Sequence, residues 1–229
     1  MSVLFKTSVA AALSLILGVS VGALNAASVV VSGGSSADVG GWQISRSAGV
    51  NLNIAGVDSQ TLVIQSETAT FENDNPLSVS FQQLSADAAA FVNFEKATFA
   101  NNTGSDWTNF TFSLTGAASF ASVADVFIPP LEPGVNFSSV TLTPPATLVY
   151  GGQQQAGATA TWGGTTSTDD LLISSAPAAN LPLTAFTLNE STTVSEVRAP
   201  LAAWQSLSGL LLVIVITAAR PPHPAPMTA

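Results

Sequence analysis

Phe110-Thr111-Phe112-Ser113-Leu114 alternates apolar and polar residues one by one. Successive side chains of a β-strand point to opposite faces, so the pattern predicts a strand with one buried and one solvated face. The same period recurs outward along the chain. Val50, Leu52 and Ile54 alternate with Asn51 and Asn53; Leu77, Val79 and Phe81 alternate with Ser78 and Ser80; Phe186 and Leu188 flank Thr187. Thr61 to Gln65, Ala146 to Tyr150 and Ala158 to Trp162 are further short β-prone runs. Turn signals separate them, among them Gly40-Gly41, Asn73-Asp74-Asn75-Pro76, Glu132-Pro133-Gly134, Pro144-Pro145, Gly151-Gly152 and Gly163-Gly164. Many short strands joined by Gly, Pro and Asn turns predict an all-β fold, a single antiparallel β-sandwich. The one interior candidate for a helix is the short Ala-rich stretch from Leu84 to Phe91.

The two ends read differently. Lys6 precedes an apolar stretch from Val9 to Ala23, the layout of a secretory signal with cleavage expected near Ala26 or Ala27. Leu201 to Ala219 is a second hydrophobic segment, with an unbroken apolar run after Gly209, long enough for a membrane-spanning helix. Arg220 and a Pro-rich end follow it. The expected organisation is a signal peptide over 1–26, a sandwich domain over 27–190 and a linker over 191–200. A transmembrane segment over 201–219 and a tail over 220–229 complete it. A signal helix and a hydrophobic helix thus flank the sandwich, and the tail is either a permanent anchor or a removable sorting signal.

Composition excludes several partners. Of 229 residues only 8% are charged, with a net charge of −9. Between Ala27 and Val197 the only basic residues are Arg46 and Lys96. Nucleic acid is bound by clustered Lys and Arg, so it is not an expected partner of this domain. The chain has no cysteine, hence no disulfide and no thiolate chemistry.

One stretch carries a family likeness. Phe94-Glu95-Lys96-Ala97-Thr98-Phe99-Ala100-Asn101-Asn102-Thr103-Gly104-Ser105-Asp106-Trp107-Thr108-Asn109-Phe110-Thr111-Phe112 resembles a segment of bacterial exported proteins that carry a PEP-CTERM-type sorting tail. In that reading an Asn/Gly turn joins two antiparallel strands and Trp107 packs beside it. The tail itself is degenerate: Ser195-Glu196-Val197 stands where the family has Pro-Glu-Pro, and Arg220 alone follows the hydrophobic stretch. The resemblance implies surface or secreted material, associated with exopolysaccharide or biofilm matrix, and a sorting peptidase acting at the tail.

Candidate chemistry is sparse. The single histidine, His223, lies in the Pro-rich tail, which leaves the domain without a Ser-His-Asp triad or a histidine metal cluster. Asp169-Asp170 is an acid pair of the kind glycoside hydrolysis uses across a cleft, but adjacent acids in a turn are ordinarily solvated. Glu72, Asn73, Asp74 and Asn75 offer oxygen ligands suited to calcium in what otherwise reads as a plain turn. Trp42, Trp107 and Trp162 are either core residues or a platform for stacking on sugars.

The expectation is therefore a non-enzymatic, exported structural protein of the cell envelope or extracellular matrix, without catalytic residue, metal or cofactor. It associates with extracellular polysaccharide and reaches the membrane through 201–219. The alternative is a carbohydrate-binding or adhesive module in which Trp107 and Trp162 sit on a sheet face and touch the ligand.

Overall fold

The computed structural model describes residues 28–194, apart from 33, 123, 124, 144, 165–168 and 181. The expected signal peptide and the 201–219 segment lie outside the described residues. Within them the chain is all β. The first eight strands are β1 Val29–Val31, β2 Ser36–Val39, β3 Trp42–Arg46, β4 Val50–Asp58, β5 Thr61–Phe71, β6 Leu77–Gln83, β7 Phe91–Phe94 and β8 Lys96–Asn101. The next eight are β9 Trp107–Gly116, β10 Ser119–Phe120, β11 Leu131–Glu132, β12 Val135–Thr143, β13 Thr147–Gln154, β14 Thr159–Gly163, β15 Leu171–Ser174 and β16 Ala185–Val194.

They form two sheets whose inner faces share one hydrophobic core. Sheet 2 runs β11-β12-β13-β9-β16-β6-β3-β2 and is antiparallel throughout. Sheet 1 is mixed, which corrects the expectation of a purely antiparallel sandwich. The first half of β5 lies parallel to β7 and its second half parallel to β8. The cause is connectivity: after β5 the chain crosses to sheet 2 to make β6, then returns to sheet 1 beside β5 in the same direction. β4 flanks β5 on its other side and β1 closes that edge, while β15 pairs β7 and β14 pairs β8.

A crease runs across sheet 1. Ile64 and Glu67 on β5 are both buried although three residues apart, and so are Phe94 and Ala97 at the β7–β8 junction. Strict alternation would turn one of each pair to solvent. The extra residue is accommodated as a bulge, and the β4–β5 register shifts between Asn53 and Ile54 and again before Gly56. The Glu95 amide bonds the Ile64 carbonyl at 3.0 Å, which stitches β7–β8 to β5 along this line. As a result Glu67 points inward.

Three further expectations change. Leu84 to Ala90 is a turn and bend, and Phe91 already begins β7. The 101–104 turn does not close a hairpin: β8 belongs to sheet 1 and β9 to sheet 2, so the turn is a corner between sheets. Asn101, fully buried, builds that corner, its Nδ2 donating to Ser105 and Gln154 carbonyls at 2.9 and 3.1 Å while its Oδ1 accepts from the Thr103 amide at 3.1 Å. Gly104 follows at φ 79°, a conformation that a side chain disfavours. Finally, β16 continues to Val194, past the boundary expected at 190.

Aromatic side chains fill one flank of the interior, where β8 and β14 face β9, β13 and β12. Trp162 meets Tyr150 edge-on at 4.6 Å between centroids and Phe137 at 5.0 Å. Phe99 lies 4.6 Å from Phe110, and Trp107 meets Phe71 at 5.0 Å. Offset and edge-to-face contacts of this kind add to the burial of large rings.

Candidate functional site

The residues singled out from the sequence fall in separate places. Trp107 and Trp162 are both 0% exposed, at the centre of the aromatic flank. Neither presents an indole face to a ligand, so among the described residues no exposed sheet-face tryptophan is present for the stacking role given as the alternative. Trp42 is buried as well, its Nε1 donating to the Ala89 carbonyl at 2.9 Å. The Glu72 to Asn75 stretch is an exposed turn linking sheet 1 to sheet 2. Asn73 Oδ1 accepts from the Asn75 amide at 2.9 Å within the turn, and Glu72 accepts from Nδ2 of Asn102 in the 101–104 corner at 3.2 Å, so two of the four side chains are already engaged in protein hydrogen bonds. Asp169 is buried and Asp170 half-buried, beside the crease. Asn93 Nδ2 donates to Asp170 at 2.8 Å. Burial raises the Asp170 carboxyl above its ordinary value, partly offset by that bond, and Asp169 raises it further. Glu95 is raised by burial and then by Asp170.

Two features could not be placed from the sequence, one on sheet 2 and the other between the sheets. The first is the outer face of sheet 2. Ser45, Ser80, Thr187 and Thr115 form one row across β3, β6, β16 and β9. Ser78, Asn189, Ser113, Thr147 and Thr143 form the next, from β6 to β12. A third row is Ser191, Thr111, Val149 and Thr141. None of these residues is buried. Sheet geometry repeats such groups about every 4.8 Å between strands and about every 6.8 Å along them. In the six adjacent strands β12, β13, β9, β16, β6 and β3, the ionisable residues are Tyr150, Arg46 and Glu190, and all three are buried. The outward surface of these strands therefore carries hydroxyls and amides without charge. Neighbouring hydroxyls bond each other, as Ser80 Oγ and Thr187 Oγ1 do at 3.0 Å.

The second feature lies inside. Glu67 on sheet 1 and Glu190 on sheet 2 are 1% and 0% exposed, and Arg46 is 7% exposed. Among the described residues no donor reaches any of the four carboxyl oxygens, and the Arg46 guanidinium nitrogens have no hydrogen-bond partner either. Two carboxyls can bond each other only through a proton. The interaction between them raises Glu190 and lowers Glu67, so that proton belongs on Glu190. Burial pushes Glu67 up to about 7, against the opposing pull of the Glu190 bond and the Arg46 charge. Burial, the nearby Glu67 charge and the donated bond together hold Glu190 well above the ordinary carboxylate range. Burial also lowers Arg46, against the attraction of Glu67. The resulting order is guanidinium, carboxylate, carboxylic acid, with little net charge in a low-dielectric interior. At 1% and 0% exposure the pair does not meet dissolved substrate.

No protein-family model, no curated protein and no solved structure matches this chain.

Proposed function

We propose that the chain is a structural protein, exported and displayed in the cell envelope or released into an extracellular matrix, that lies against neutral polysaccharide. The reading assigns it no catalytic step. The observation that carries it is the uncharged hydroxyl and amide face of sheet 2, spread over six strands. A neutral glycan presents closely spaced hydroxyls, which such a face can meet by direct and water-mediated bonds without desolvating a charge. Export rests on the signal-like N-terminus and the hydrophobic 201–219 segment, together with the resemblance to proteins bearing a PEP-CTERM-type sorting tail. In this reading a sorting peptidase acts at that tail, which reaches the membrane at least transiently.

The test is co-sedimentation of the full chain with insoluble neutral and acidic polysaccharides, beside a Ser113→Glu, Thr187→Glu variant. Retention on neutral polymer that the variant loses supports the reading. Equal retention of both proteins, or none on any polymer, sinks it. Terminal-peptide mass spectrometry on membrane, wall and medium fractions tests export: a product beginning near Ala27 outside the cell is expected, and an intact intracellular chain overturns it.

A further inference from the structure

We propose that Glu67 and Glu190 form a proton-dependent clasp between the two sheets, closed in acid and loosened as the pH rises through neutrality. The inference is independent of the polysaccharide reading, because it concerns the interior and not the outer face.

The geometry carries it. Glu67 sits in the inward column of β5 between Leu52 on β4 and Ala97 on β8; Glu190 sits in the inward column of β16 between Leu77 on β6 and Phe112 on β9. Each is buried on its own sheet in a column facing the shared core, and no donor among the described residues reaches its carboxyl oxygens. The other inward groups on the packed strands are apolar: Val50 and Ile54 on β4, Ala69 and Phe71 on β5, Phe99 on β8, Val79 and Phe81 on β6, Leu188 on β16, Phe110 and Leu114 on β9. The exceptions are Arg46 on β3, the hydrogen-bonded amides Gln83 and Asn101 at the ends of β6 and β8, and the buried, unbonded hydroxyl of Thr192 on β16. Arg46 is thus the one other charged group facing the pair among the described residues; Lys96 on β8 is exposed.

One guanidinium neutralises one carboxylate. A second carboxylate, created when the shared proton leaves, has no cation and no donor to stabilise it, and the two anions repel across the sheets. Both carboxyls hold protons more tightly folded than unfolded, where glutamate titrates near 4.3. Folding therefore takes up protons between that value and the folded one. Stability is full at the acid end of this interval and declines as pH rises toward neutrality and beyond.

Urea denaturation of the full chain at pH 5, 6, 7 and 8 tests the clasp against a Glu67→Gln, Glu190→Gln variant. The wild-type folding constant is expected to fall roughly tenfold per pH unit for each proton released. The variant is expected to change by less than about threefold over the range, a remainder assignable to Glu95 and Asp170. An equal slope in both proteins, or wild-type stability that rises with pH, overturns the proposal. If the double variant does not fold, ¹³C carboxyl resonances assigned to Glu67 and Glu190 in the wild type decide it. Titration still in progress at pH 6 or above supports the clasp, and completion below pH 5.5 for both rejects it.

Discussion

The two flanks of the sandwich interior are built on opposite principles. Where β8 and β14 face β9, β13 and β12, the space is filled by Phe99, Phe110, Phe112, Phe137, Tyr150 and Trp162, and its one hydroxyl, that of Tyr150, is bonded to the Phe127 carbonyl at 2.8 Å. Where β5 faces β16 and β3, the same interior encloses a guanidinium and two carboxyls that no donor among the described residues satisfies. The aromatic flank derives stability from area removed from water and from close ring contact. The polar seam derives little, because the desolvation of each ion offsets most of its attraction to the other. What the seam adds is conditionality: its energy depends on pH, and that of the aromatic flank does not.

The largest effect expected is on the aromatic side. Trp162→Ala removes a side chain ringed by Tyr150, Phe137, Phe99, Phe110 and Phe112 and should lower unfolding free energy by about 3–5 kcal/mol at any pH from 5 to 8, measured by urea denaturation. A loss below about 1 kcal/mol would break the comparison. Next comes buried polarity that is fully partnered. Gln83 Nε2 donates to Ser85 and Ala178 carbonyls at 2.8 and 2.7 Å, and its Oε1 accepts from the Ala178 and Thr184 amides at 2.9 and 3.0 Å. Gln83→Leu strands those groups and should cost about 2–3 kcal/mol, with proteolysis beginning in the 176–184 segment.

A smaller change of opposite sign is expected in the seam. Replacing Arg46, Glu67 and Glu190 together by Met, Leu and Leu should leave stability at pH 7 unchanged or raise it by about 1–2 kcal/mol, and should reduce the pH dependence to the remainder from Glu95 and Asp170. A loss of 3 kcal/mol or more would show that the seam is a net stabiliser and erase the contrast. The smallest effect belongs to the exposed turn after β5: Asn73→Ala removes one Asx bond and should shift stability by no more than about 0.5 kcal/mol.

Much of the fold is legible because it is local. Val50 to Ile54, Leu77 to Phe81 and Phe110 to Leu114 alternate without interruption, and each lies in a strand with its apolar members buried, Leu77 only half so. β12 escapes the same reading because a bulge between Phe137 and Ser139 shifts its parity: Val135 and Phe137 are buried, but past the bulge Thr141 and Thr143 turn outward, and Val140 and Leu142 align with the inward Tyr150 and Leu148. The seam escapes for two reasons. Glu190 continues the column of Phe186 and Leu188, and Arg46 that of Trp42 and Ile44, so both were visible as ionisable residues at core positions. Glu67 was not, since the alternation of Leu62 and Ile64 carried past Gln65 sends it to solvent. Only the bulge brings it inside.

By itself the sequence determined which segments are strands, which residues are hydrophobic enough to make a core, and how little charge is left for the surface. These are properties of single residues and their near neighbours. Only the tertiary structure decided that β5 pairs in parallel, that the 101–104 turn is a corner and not a hairpin, and that the tryptophans are interior. It also decided that two carboxyls 123 positions apart (67 and 190) are both buried in the one core without a donor. Each of these depends on which strand lies beside or across from which, and a bulge of one residue is enough to exchange the inside of a sheet for its outside.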